Sequence, residues 1–167
     1  MGIAKGLTRD RLPELVKDEI APGADDLPTG RCMCGKVSFQ IKRPVEMVFA
    51  NHDAVSRRRS GGVALTLMVR AVNTVFCGWG HLVHYPVSGN ENACFCRVCG
   101  TPMLTYYLAP APMNGMAQLS AGALDSTEGL RLAADICADE KPDYYAFEGE
   151  RRSISSEEVG SRFFAGN

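Results

Sequence analysis

Two short stretches place thiols where they can act together. In TGRCMCGKVSFQI, residues 29–41, Cys32 and Cys34 flank Met33 and are followed by Gly35; in ACFCRVCGTPM, residues 93–103, Cys96 and Cys99 are followed by Gly100. A bridge between Cys32 and Cys34 would close a strained ring, because disulfides need a particular separation and torsion. The C-x-x-C-G form is that of a zinc knuckle, in which glycine accepts a positive φ and the tight turn aims backbone N–H groups at a thiolate. Cys32, Cys34, Cys96 and Cys99 together make the four-sulfur set of a closed structural zinc site. Arg31, Lys36 and Arg97 lie beside the turns, where cations help to keep the sulfurs ionised. Buried free thiols or a redox pair are the alternatives. Cys94, in Cys94-Phe-Cys96, mimics the first pair and competes as a ligand, whereas Cys77 and Cys137 stand alone and read as core thiols.

The elements that must carry these turns are mainly β. Val37, Phe39 and Ile41 alternate with polar residues, the period-2 mark of a strand with one buried face. Residues 63–76 are rich in β-branched and large apolar types and read as one or two strands; shorter strands are expected at 103–108, 117–124 and 143–149. Leu12, Leu15, Val16 and Ile20 have helical spacing, so one short N-terminal helix is expected over 9–20. Short strands at irregular intervals, joined by Gly, Pro and Asn, suggest a mainly antiparallel β domain.

The chain of 167 residues suits a single domain, 1–167, with 1–28 as an N-terminal extension. Its 18 basic and 19 acidic residues give a formal net charge of −1, which provides no long-range field for nucleic acid or an anionic membrane. No apolar run reaches the ~18–20 residues of a membrane span, and charges interrupt the N-terminus where a secretory signal would be apolar. Met1-Gly2 is a myristoylation start in form, but Gly occupies position six where Ser or Thr is required. A cytoplasmic location follows, and the odd count of seven cysteines favours thiols and metal over a disulfide framework. The expected partner is a small molecule; oligomeric state is not written in the sequence.

GRCMCGKVSF, NHDAVSRRRSGG, FCRVCGTPM and LSAGALD together resemble the glutathione-dependent formaldehyde-activating enzyme family, which includes the centromere-protein-V-like domains. The resemblance covers about residues 29–126, with a looser continuation to about 150. It implies a β-tent fold of small antiparallel sheets around a structural four-cysteine zinc. It also implies an enzyme that joins formaldehyde to glutathione at a second zinc, held by three cysteines in the pattern C-H-C-x-x-C. Aligning Ser60-Gly61-Gly62 with the family's Ser-Gly stretch puts those ligand positions at Asn51, Asp53 and Ser56, with His52 at the intervening histidine. All three thiols are absent. The family's tryptophan near the C-terminal strand is absent too; that region offers Tyr144 and Tyr145.

Amides and neutral hydroxyls are poor zinc ligands, and Asp53 with His52 would supply only two good donors. Within the altered pocket, His52, Asp53 and Ser56 are the candidate catalytic residues for metal-free proton transfer, since an imidazole's ordinary pKa suits acid/base work and an acidic neighbour orients it. Asn51 and Arg57 are the candidate substrate-binding residues, and Arg57-Arg58-Arg59 would suit an anionic ligand if it faced the pocket. The same residues read equally as a polar loop with a solvated basic face. His81 and His84, three apart in a Gly- and Pro-rich stretch, read as surface or core histidines.

The leading expectation is a lyase- or isomerase-class enzyme with one zinc, acting on a small organic molecule, an anionic one included, by elimination, isomerisation or cyclisation. One alternative is a non-catalytic zinc-stabilised binding module. Another is a glutathione-adduct, carbon–sulfur lyase enzyme with altered ligands, in which glutathione would take part.

Overall fold

A computed structural model describes residues 27–108 and 111–164; the helix expected over 9–20 lies outside the described residues. Among the described residues, eleven strands are distributed over two sheets. The smaller sheet, of order β1-β2-β5, is antiparallel and comprises β1 (Thr29–Arg31), β2 (Ser38–Ile41) and β5 (Thr74–Cys77). The larger runs β11-β10-β3-β4-β9-β8-β7-β6. Its strands are β3 (Met47–Asn51), β4 (Ala64–Arg70), β6 (Leu82–Pro86), β7 (Glu91–Cys96), β8 (Pro102–Tyr107), β9 (Met116–Ser120), β10 (Arg131–Ile136) and β11 (Arg152–Ile154).

The fold is mainly β, as expected. The stretch 63–76 is two strands separated by a short 3-10 turn at Ala71–Asn73. One difference is that β10 runs parallel to both β3 and β11. Parallel partners need a long crossover, and most of the domain separates β3 from β10 in sequence. A second is that residues 143–149 form no strand. There Tyr145 and Phe147 pack over His52 instead of joining a ladder, and Gly149 takes φ 85°.

Strand alternation gives the large sheet two different faces. Val48, Leu67, Leu104 and Leu119 point toward Phe39 and Phe76 of the small sheet, whose rings lie 5.5 Å apart, and close the core. The opposite face carries Phe49 and Asn51 of β3, Met68 of β4, Gln118 of β9, Tyr107 of β8 and Glu91 of β7, all of which line a cavity.

Two helical segments border that cavity. Helix α1 (Ala54–Ser60) begins where the Asp53 carboxylate accepts from the Ser56 N–H at 2.8 Å, and ends at Gly61, whose φ of 73° closes the helix onto Arg57. Helix α2 (Ser156–Val159) continues into a π-helical turn at Gly160–Phe164. Among the described residues no helix is long and apolar enough to cross a membrane.

Candidate functional site

The two cysteine turns come from different sheets. Cys32 and Cys34 lie in the β1–β2 turn, and Cys96 and Cys99 at the β7–β8 turn, so the cluster joins the small sheet to the large one. Gly35 and Gly100 take φ of 72° and 76°, and each donates its N–H to the carbonyl of the first cysteine of its turn, at 2.9 and 2.8 Å. The Val37 N–H reaches Cys32 Sγ at 3.2 Å, and the Met33 N–H donates to the Thr101 hydroxyl at 3.1 Å, tying one turn to the other. The four ligand atoms lie within 4.8 Å of one another. Cys32–Cys34 and Cys34–Cys96 sulfur separations are 3.6 and 3.7 Å, close to the ~3.8 Å edge of a tetrahedron with ~2.3 Å metal–sulfur bonds. The cluster can hold a metal ion.

The electrostatics of the cluster call for a cation. The Thr101 hydroxyl, 3.2 Å from Cys99 Sγ, and the Thr101 backbone bring the Cys99 pKa down to about 5. The Lys36 N–H favours the Cys34 thiolate, yet burial and the surrounding sulfurs push Cys34 up to about 12. Four crowded sulfurs cannot all ionise without a positive charge among them. Arg31, expected beside the sulfurs, is paired with Asp125 at 3.0 Å, and Asp125 also accepts from the Thr29 hydroxyl at 2.9 Å. Cys94 stands outside the cluster, buried with its sulfur 3.3 Å from His84 Nδ1. His84 in turn lies against Trp79, ring centroids 5.0 Å apart.

On the far face of the large sheet is the cavity, of about 650 Å³. Asn51, Asp53 and Ser56 all line it, whereas His52, Arg57, Arg58 and Arg59 do not. Asn51 is committed to the scaffold: its amide donates to Ala64 O at 3.1 Å and Thr66 Oγ1 at 2.9 Å, and its carbonyl accepts from Gln118 at 3.4 Å. One Asp53 oxygen caps α1. These donors do not fit a second zinc, since the amide is spent, the carboxylate is half-used and Ser56 offers a neutral hydroxyl.

The arginine run diverges. Arg57 donates to His52 O at 2.7 Å, Arg58 is exposed, and Arg59 donates to the Thr105 hydroxyl and lies 4.0 Å from Glu91.

Glu91 and Cys137 are among the ionisable residues that line the cavity without having been identified as site residues by the sequence pattern. Burial raises the Glu91 pKa, Arg59 opposes this, and Asp53 adds to it. Cys137, at φ 54°, is pushed up to about 11 by burial and then by Asp53, Glu140 and Asp139, so its thiol stays protonated. The alternation of ENACFC held a signal for Glu91: once Cys94 and Cys96 face the core, Glu91 must face the other way.

His52 is fully buried, and both of its ring nitrogens are engaged. Nε2 lies 2.8 Å from Asp135 Oδ1, and Nδ1 lies 2.6 Å from the Tyr145 hydroxyl. An ionised carboxylate only accepts, so Nε2–H donates to Asp135 and the phenol, whose pKa burial raises, donates to Nδ1. Arg151 Nε holds the other Asp135 oxygen at 2.8 Å and its guanidinium also reaches Phe147 O at 2.8 Å. Tyr145, one of the pair Tyr144 and Tyr145, stacks on His52 with a centroid separation of 5.6 Å.

A two-sheet β domain stitched by a four-cysteine cluster, with a cavity on the outer face of its larger sheet, defines a class of domain whose cluster can hold a metal ion. The chain belongs to the glutathione-dependent formaldehyde-activating enzyme family, whose model matches residues 27–140. A Rhodobacter sphaeroides protein of solved crystal structure is similar in fold, with a TM-score of 0.51 and 18% identity over 60% of this chain and 90% of its own. No curated protein sequence is similar enough to match.

Proposed function

We propose that this chain is an enzyme built on the formaldehyde-activating scaffold, in which the former metal pocket carries out proton transfer on a small organic molecule. The observation that carries this reading is that Asp53 and Ser56, at the positions of the family's metal ligands, line the same cavity as Glu91, whose carboxyl burial holds above its ordinary range. A carboxyl whose pKa burial raises, on the same cavity as a second carboxylate, is a pairing suited to acid and base roles. Asp53 is the proposed base and Glu91 the proposed acid, with Ser56 binding substrate. His52 is proposed as a positioning residue, because its contacts fix the chain from which Asp53 projects. Elimination, isomerisation and cyclisation are the reactions this pair would serve.

Zinc is the proposed ion of the cysteine cluster, given the four-sulfur donor set and the family's use of zinc. Its role there is structural, and glutathione has no assigned place. Use of the cysteines as a cluster supports a reducing, cytoplasmic location.

The test starts with metal counting, where about one zinc per chain is expected and about two would favour the glutathione-adduct reading. Thermal-shift screening and product analysis then supply a substrate. Asp53→Asn should lower turnover roughly a hundredfold or more with zinc content unchanged; full activity removes Asp53 from the mechanism. A binding module without catalysis is the second reading, favoured by the commitment of Asn51 and His52 to scaffold contacts. Ligands that bind without product formation would support it.

A further inference from the structure

The family model ends at residue 140, but the cavity does not. Ile154, Val159, Phe163 and Phe164, all beyond that limit, form one of its walls. The segment is fixed in place: Asp139 accepts from the Ser156 N–H at 2.7 Å and its hydroxyl at 2.5 Å, Glu158 pairs with Arg162 at 2.6 Å, and the Phe164 ring lies 6.1 Å from that of Tyr107. Phe49 and Met68 line the same cavity from the sheet.

The charged groups at the cavity are few and mutually balanced. Asp53 and Glu91 face it, Arg70 lines it, and Arg59 stands against Glu91. Arg57 and Arg58 are directed elsewhere, so the guanidinium run that would attract an anion does not serve this space.

Resting on the reading of this cavity as a substrate site, we propose that it takes an uncharged, largely apolar molecule of ring-system size, and that Phe163 and Phe164 determine its specificity. The volume, about 650 Å³, suits a drug-sized ligand enclosed by apolar walls with a few polar groups. The sheet-borne floor comes from the family's common core, while the aromatic wall is contributed by this chain's own C-terminal segment.

The test uses the full chain and three fluorescent probes of similar size: uncharged Nile red, anionic 8-anilinonaphthalene-1-sulfonate and cationic thioflavin T. Nile red should bind most tightly, with blue-shifted emission. Phe163→Ala should weaken it about tenfold or more. Val55→Trp, which fills the rim from a half-exposed helix position, should do the same without disturbing the core. Zinc content and melting temperature are followed in every variant, and a variant that melts early is judged by the other. Tighter binding of either charged probe, Nile red affinity unchanged in both variants, or no binding of Nile red would overturn the proposal. None of these measurements depends on turnover, so the substrate class can fail while the proton-transfer reading stands, and the reverse.

Discussion

The cysteine cluster and the cavity lie on opposite faces of the same large sheet and differ in how they treat polar groups. At the cluster, polar groups of the turns serve the sulfurs: glycines bend the chain, and the Val37 N–H and Thr101 hydroxyl point at them. At the cavity, polar residues are tied into the scaffold beside an apolar space, Asn51 in a side-chain network and Asp53 in a helix cap. A four-sulfur cluster joining two sheets is difficult to alter piecemeal, because removing any ligand loosens both sheets. A pocket on one outer face can change its chemistry while the core behind it stays intact.

The comparison is broken most severely at the cluster. Cys32→Ser or Cys99→Ser should abolish metal binding and cooperative folding together, since structural metal binding contributes on the order of 10 kcal/mol to small metal-dependent domains and the ligands tie segments 62 residues apart. Metal analysis and thermal melting of the same preparations check this. One retained metal with an unchanged melting temperature would refute the assignment. Cys94→Ser, outside the cluster, should keep its metal.

His52→Ala comes next. It removes the shared partner of Asp135 and Tyr145 in a buried setting, leaving a carboxylate held only by Arg151. The expected loss is about 2–4 kcal/mol, a fall of roughly 5–15 °C in melting temperature, with metal content unchanged. A melting temperature within 1–2 °C of the parent would show that the buried chain from Arg151 to Tyr145 does little for stability.

The cysteine turns were legible in the sequence because a knuckle is local: a few consecutive residues fix its geometry, and each glycine marks a positive φ. The strand over 37–41 was legible for a similar reason, in that its alternation is local, and 103–108 was legible from its run of strand-forming residues, although that strand is buried on both faces. What could not be read was long-range. Asp135 meets His52, and Arg151 meets Asp135, only because β10 pairs in parallel with β3 and β11, and no pattern within either segment specifies that crossover. The DYYAFEG stretch carries strand-forming residues, but the Tyr145 and Phe147 rings pack on His52 and its backbone forms no strand. Phe163 and Phe164 look like an apolar chain end until the cavity beneath them is known.

The smallest expected effect is at Glu91 and separates the two faces by pH. Burial raises its folded-state pKa, with Asp53 adding and Arg59 opposing, so the protonated carboxyl is favoured in the fold over the unfolded chain. The sign follows from linkage: this favourable contribution is fully present below the ordinary value of 4.5 and is lost as pH rises through the raised folded-state value. Glu91→Gln keeps the shape and removes the titration. Its melting temperature should therefore match the parent at low pH and exceed it by a few degrees toward neutral pH, while any activity that needs the acid falls. Cys137 lies on the same cavity but stays protonated up to about 11, so Cys137→Ser should show no such crossover between acid and neutral pH. Parallel pH curves for parent and Glu91→Gln would mean that Arg59 outweighs burial at that carboxyl, and Glu91 would then serve as a charged partner of Arg59 rather than as a proton donor.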